Sequence, residues 1–301
     1  MKRALDVLLA GVVDYAGLFP PAALDMDAAT NAYAQYLSDP ARPMLGRFVV
    51  PVVRLREFDD AASQLLPRGD HSEPWRLSAL PGPDLTADID LALKFNCRHW
   101  SGSEIGHALI DTLEIKAFIA DEVLAATSMM ARQLTPFFEI PISSDPARLV
   151  DAIKRGGAFA KARTGGVTAD AFPDAAHVAR FMIRCRDARV AFKLTAGLHH
   201  PMRAEYRLTY AENAPRGVMF GYLNMFVGAT LAWSGADEST VRAALVSQAP
   251  DDFAFSDESL DFGGHSVPTA IVRDARENFM ISFGSCSFRE PVDELAALSF
   301  S

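Results

Sequence analysis

The sequence predicts an α/β protein, a single (β/α)8 TIM barrel over residues 1–301 with an insertion at about 200–278, between the seventh and eighth strands. Three observations predict it. Short β-branched or aromatic runs alternate with longer amphipathic stretches, the pattern of βα units around a parallel sheet. Eight such runs can be counted, the number one barrel requires. Half of the 301 residues are apolar and 22% are charged, a balance that can bury a core of that size.

Taken in order, Gly11 to Phe19 opens the barrel, and a helix follows from Asp25-Met26-Asp27 to Leu37, its acidic residues at the positive end of the helix dipole. The second strand is Arg47 to Val53, with a helix from Phe58 to Leu66. The third is Trp75 to Leu80, ended by Pro81-Gly82-Pro83, with a helix from Leu85 to Phe95. Ala108 to Ala117 and the helix Asp121 to Gln133 form the fourth unit. Pro136 to Ile142 is the fifth strand, and Ser144-Asp145-Pro146 caps a helix running to Arg155. Ala158 to Arg163, the helix Asp174 to Arg186, and Val190 to Thr195 give the sixth and seventh strands. Phe279 to Phe283 is the eighth, and Pro291 to Leu298 is the last helix.

The stretch from His200 to Asn278 is too long for one crossover. Within it, Gly217 to Trp233 reads as one long apolar helix, Ser239 to Gln248 as a second, and Asp251 to His265 as irregular chain. The apolar Met219–Trp233 part either caps the barrel or forms a contact between copies in a homo-oligomer.

A net charge of -9 disfavours nucleic acid as a partner, since phosphate backbones are held largely by Lys and Arg. Cys97, Cys185 and Cys286 are widely spaced and read as ordinary buried thiols of a reducing, cytoplasmic environment. The apolar run Leu8 to Val13 is bracketed by Asp6 and Asp14 and is short for an export signal. No run of about 18 apolar residues suggests a membrane span.

The chemistry lies at the C-terminal ends of the strands, where barrel enzymes carry their sites. Glu114 and Lys116 end the fourth strand, Glu139 the fifth, Lys161 and Arg163 the sixth, and Lys193 and Thr195 the seventh. A lysine in a buried strand is costly unless paired or deprotonated, so two in successive strands require an explanation. One is structural ion pairing with Glu114 and Glu139. The other is nucleophilic: a neutral lysine amine attacks carbonyls, and a second ammonium ~6–7 Å away, at an effective dielectric of ~20, disfavours its protonation by about 2.5 kcal/mol. Glu114 would then shuttle protons.

Phe159-Ala160-Lys161-Ala162-Arg163-Thr164-Gly165 resembles the strand-six motif F-I-K-T-S-T-G of the deoxyribose-phosphate aldolases, and Val190-Ala191-Phe192-Lys193-Leu194-Thr195-Ala196-Gly197 resembles their strand-seven V-G-V-K-A-S-G-G. Asp111-Thr112-Leu113-Glu114 is similar to the family's D-E-V-D, Phe138-Glu139 to its I-E, and Gly284-Ser285-Cys286-Ser287 to its strand-eight G-T-S-S. The resemblance covers roughly Ala108 to Gly197 and the closing strand. It implies a class I, Schiff-base lyase of carbohydrate metabolism that needs no cofactor or metal. Lys161 would form the imine, Lys193 would tune it and Glu114 would move protons. Glu139, Thr164, Gly165, Thr195, Gly197, Gly284 and Ser285 would bind a small carbonyl or sugar-like substrate, and Arg163 and His199, which lie outside the family pattern, are candidates to bind an anionic one.

The sequence departs from that pattern at Ala196, which replaces the first glycine of the strand-seven pair, and at His199-His200-Pro201, where the family has an arginine-containing turn. Adjacent histidines on an extended loop usually point in opposite directions, so at most one of the two is expected at the site, the alternative being a surface or structural role for both. Two other readings use the same mouth. Glu114, Glu139 and His199 could hold a divalent metal for a lyase or isomerase, or the barrel could bind a metabolite without catalysis.

Overall fold

Residues 3–69, 71–101 and 105–298 are described by a computed structural model of the chain. Helix α1 (Arg3–Leu9) leads into strand β1 (Val13–Tyr15). The chain then alternates through α2 (Met26–Tyr36), β2 (Leu45–Pro51), α3 (Leu55–Ala62), β3 (Trp75–Leu80), α4 (Leu85–Ser101), β4 (Ala108–Lys116), α5 (Ala120–Ser128), β5 (Thr135–Glu139), α6 (Ala147–Arg155), β6 (Phe159–Arg163), α7 (Ala175–Ala188) and β7 (Phe192–Thr195). The insertion holds a hairpin of β8 (Ala204–Arg207) and β9 (Arg216–Met219), helices α8 (Tyr222–Trp233) and α9 (Glu238–Val246), and a three-stranded sheet of β10 (Phe253–Phe255), β11 (Ser259–Phe262) and β12 (His265–Pro268). Helix α10 (Thr269–Asn278), the closing strand β13 (Met280–Ser285) and α11 (Arg289–Ala296) complete it.

Strands β1 to β7 and β13 form a closed parallel barrel, with β13 between β7 and β1, so the fold is the expected (β/α)8 barrel. The register that matters most joins β5, β6 and β7: Glu139 lies beside Lys161, and Lys161 beside Lys193. Period-two alternation places these ends on a common face. Helix starts follow their caps. The Asp25 carboxylate accepts from the Ala28 N–H and Asp174 from Ala176, each satisfying a donor the first helical turn leaves open.

Three segments differ from expectation. The first strand is only Val13–Tyr15, because the chain turns at Gly17–Leu18, where a Cβ on Gly17 would meet the Tyr15 ring, and continues into Pro20-Pro21. The apolar run from Gly217 is not one helix. Arg216–Met219 pairs with Ala204–Arg207 as a hairpin, and the helix starts only after Gly221, whose Cα approaches the Pro201 carbonyl so closely that a Cβ would sit 2.3 Å from its oxygen. Residues from Asp251 to His265 are not irregular. Gly263 and Gly264, both at positive φ, turn β11 into β12, and the antiparallel sheet buries Phe253, Phe255 and Leu260.

Helix α8 is apolar on every side and buried from Tyr222 to Ala232, so it is an interior element. Its Tyr222 ring stacks on Phe283 at 5.2 Å and Trp233 stacks on Phe279 at 5.1 Å, which fixes the insertion against the closing strand. Among the described residues no helix is long and apolar enough to cross a membrane.

Candidate active site

Seven buried or half-buried polar side chains form a continuous network across the barrel interior. Glu114 of β4 lies between the two lysines: Lys161 Nζ is 2.6 Å from its Oε2 and Lys193 Nζ is 2.5 Å from its Oε1. Lys161 also meets Glu139 at 2.8 Å, and Lys193 meets Asp14 of β1 at 2.6 Å. The Ser78 hydroxyl donates to Glu114 Oε1 and the Ser282 hydroxyl to Asp14 Oδ2, each at 2.6 Å. The Arg47 N–H donates to the other Asp14 oxygen at 2.8 Å. Three carboxylates thus face two ammonium groups, in a setting where an unpaired charge would be prohibitive.

This arrangement corrects the expected electrostatics of Lys161. The two ammonium groups share one carboxylate and so lie well within the ~10 Å screening length, as the repulsion argument requires. Yet at an effective dielectric of ~20, attraction at ~3 Å is about twice the repulsion at ~6–7 Å, and Lys161 has two carboxylates against one ammonium. Burial pulls its pKa down, but Glu114 and Glu139 outweigh burial and hold it above the ordinary lysine value. Burial likewise pushes Glu114 up, and the two lysines more than reverse that, holding its carboxyl well below the usual range. Lys161 is therefore an ammonium at neutral pH. Lys193 acts through Glu114 by fixing its position and charge.

Above the network opens a cavity of about 370 Å³. Of the sequence-predicted residues, Glu114, Glu139, Lys161, Arg163, Thr195, Gly197, His199 and Gly284 line it. Lys193, Thr164, Gly165 and Ser285 are not on its wall. Lys193 sits beneath, held by Asp14 and Glu114 and 5.5 Å from the centre of the Phe137 ring. Thr164 is a clip between loops, its hydroxyl donating to the Ala196 carbonyl at 2.8 Å and its N–H to the Thr195 carbonyl at 2.9 Å. Gly165 lets the β6 and β7 loops touch, since a Cβ on it would stand 2.8 Å from the Gly197 Cα. Ser285 is buried, and its carbonyl receives the Ala16 N–H at 2.7 Å. Apolar Phe19, Pro20, Val49 and Leu80 complete much of the wall, and exposed Lys116 and Arg163 bring two cations to the lining.

Ala196 departs from the family's glycine but keeps a glycine-like backbone, with φ 65, next to Gly197 at φ +74. A left-handed alanine is strained by roughly 1–2 kcal/mol, part of which a glycine would return as unfolded-state entropy. Ala196→Gly is expected to raise unfolding stability by up to about 1 kcal/mol, measured by urea titration. A loss of stability would show that the methyl group packs usefully.

The histidine pair diverges as expected. His199 lines the cavity, with Nδ1 3.3 Å from Glu290 and 3.9 Å from Cys286 Sγ. His200 stacks on Tyr206 at 3.5 Å between ring centres and bonds both Glu294 oxygens at 2.8 Å. His199 and Glu139 are consequently engaged with different partners, and both oxygens of Glu114 are taken by the lysines. His200, Glu290 and Glu294 bring three donor atoms within 4.8 Å, but His200 Nδ1 is already hydrogen-bonded to Glu294, which makes this a hydrogen-bonded cluster.

Sequence reasoning missed Asp14, Ser78, Ser282 and the contacts of Cys286. For Asp14 a signal existed: a carboxylate inside the apolar run Gly11 to Phe19 must face something that neutralises it. Comparison with family models, curated proteins and solved structures finds no match to the chain.

Proposed function

We propose that the chain is a class I, aldolase-type lyase that forms a Schiff base between Lys161 and a small aldehyde or ketone. The observation that supports this best is the placing of a buried lysine on a cavity wall within 2.8 Å of two carboxylates, one of them held rigid from below. A carbonyl binding there excludes water, and Lys161 gives up a proton to Glu114 or Glu139. Its lone pair then attacks the carbonyl carbon, and the C=O electrons move to oxygen, which takes a proton back. Loss of that oxygen as water leaves the imine. Glu114 is placed to remove or return a proton at the carbon beside it, and Lys193 keeps Glu114 ionised and oriented.

The resemblance of the Lys161 and Lys193 segments to the deoxyribose-phosphate aldolases supports the same assignment. Lys116 and Arg163, which have no carboxylate partner among the described residues, suit a substrate with an anionic end. The test is reduction with cyanoborohydride in the presence of a panel of short aldehydes and ketones, read by intact mass. The expected result is one stoichiometric adduct whose mass identifies the bound fragment. Absence of an adduct with every carbonyl tried would overturn the proposal.

A further inference from the structure

Cys286 follows β13 and His199 follows β7, neighbouring strands of the barrel, and both side chains line the cavity that Lys161 lines. Sγ of Cys286 lies 3.9 Å from His199 Nδ1 and 3.6 Å from the Tyr210 hydroxyl, while Glu290 accepts from that hydroxyl at 3.0 Å and pairs with Nδ1 at 3.3 Å. The polar contacts of His199 with Cys286 and Glu290 both use Nδ1, and Nε2 has no polar partner among the described residues. From this geometry we infer that Cys286 and His199 form a second nucleophilic centre of the cavity, one that captures an aldehyde as a thiohemiacetal.

The chemistry balances without any further reactant. The thiolate attacks the aldehyde carbon and the C–S bond forms as the C=O π bond breaks. That electron pair goes to oxygen, which takes a proton from the His199 imidazolium, leaving neutral imidazole. The groups facing the pair are Glu290 of α11, Tyr210 of the β8–β9 connection and Tyr15 of β1, with His200 beside Glu290. Burial pushes the Cys286 thiol up, but the bond and charge of His199, helped by the Ala22 N–H, bring it below the ordinary value. Burial pulls His199 down, and Cys286 and Glu290 outweigh it, raising it to about 9.

An aldehyde is the fitting electrophile because a thiolate adds readily to an unhindered carbonyl carbon while the adjacent N–H serves its oxygen. Strands β6 and β13 are separated only by β7, and both nucleophiles line the same cavity. A substrate with carbonyl or latent carbonyl carbons at both ends would span them. The capture at Cys286 does not depend on imine formation at Lys161.

The test is the rate of alkylation by iodoacetamide at pH 6, resolved by peptide mass mapping, with the exposed Cys97 as internal reference. An ordinary thiol is below about 1% ionised there. Cys286 is expected to react at least tenfold faster than Cys97, and His199→Asn to remove that advantage. Propanal is expected to slow alkylation of Cys286 in both the wild type and Lys161→Ala, whereas propionamide, of similar size but not electrophilic, leaves it unchanged. Cys286 reacting no faster than Cys97 in the wild type would overturn the inference, as would equal protection by propionamide. Protection retained in Lys161→Ala separates this centre from the fate of the imine proposal.

Discussion

Replacing Lys193 with methionine is expected to destabilise the fold by about 3–5 kcal/mol at neutral pH, the cost of stranding a buried charge by removing its partner. Asp14 would keep only Ser282 and the Arg47 N–H, and Glu114 would keep Lys161 and Ser78. The effect has a pH signature. Glu114 is held well below its usual pKa in the folded protein, so its pairing stabilises above the unfolded value of ~4.3 and is lost as pH falls through the folded value. In Lys193→Met the stranded carboxylates are relieved by protonation instead, so the gap between variant and wild type should shrink on going from pH 7 to pH 5. Adding Asp14→Asn to the variant should recover part of the loss at pH 7. Urea unfolding at the two pH values measures all three. A cost below about 1 kcal/mol would mean that Lys193 is not the counter-ion of this network.

The second large effect concerns Lys161 itself. Because Glu114 and Glu139 raise its pKa above the ordinary lysine value, the neutral amine is a minor form at pH 7, and its fraction rises tenfold for each pH step toward the folded value. Initial rates of reductive trapping should therefore climb from pH 7 to pH 9. Glu139→Gln removes one of the two attractive charges while leaving Glu114 in place. If that charge contributes ~1.4 kcal/mol, the variant should trap about tenfold faster at pH 7 and show a shallower rise. A pH-independent rate that Glu139→Gln leaves unchanged would show that deprotonation of Lys161 does not limit the reaction.

The barrel was legible because its signals are periodic and local. Eight apolar runs announce strands, and the ends of β6 and β7 expose their lysines as exceptions within apolar sequence. The insertion was less legible for different reasons. The stretch Arg216 to Trp233 has uniform apolar character, so nothing periodic separates β9 from α8, and the break at Gly221 is enforced by a tertiary approach to the Pro201 carbonyl. The turn at Gly263-Gly264 did carry a hairpin signal in the sequence. The site shows the same division. Lys161, Glu114 and Glu139 could be placed on one mouth by strand position, but the sign of the Lys161 shift depends on distances of 2.6 and 2.8 Å that no pattern encodes. Asp14 stands 179 positions from Lys193 and meets it only because β13 closes the barrel between β7 and β1.

The central claim, that Lys161 is the imine-forming residue, is tested most directly by mapping the reduced adduct to a residue. With a short carbonyl that gives an intact-mass shift, the predicted result is one modified lysine, Lys161, with no such adduct in Lys161→Ala while exposed Lys94, Lys116 and Lys154 stay unmodified in both proteins. Adducts spread over those surface lysines at equal rates in wild type and Lys161→Ala would contradict it.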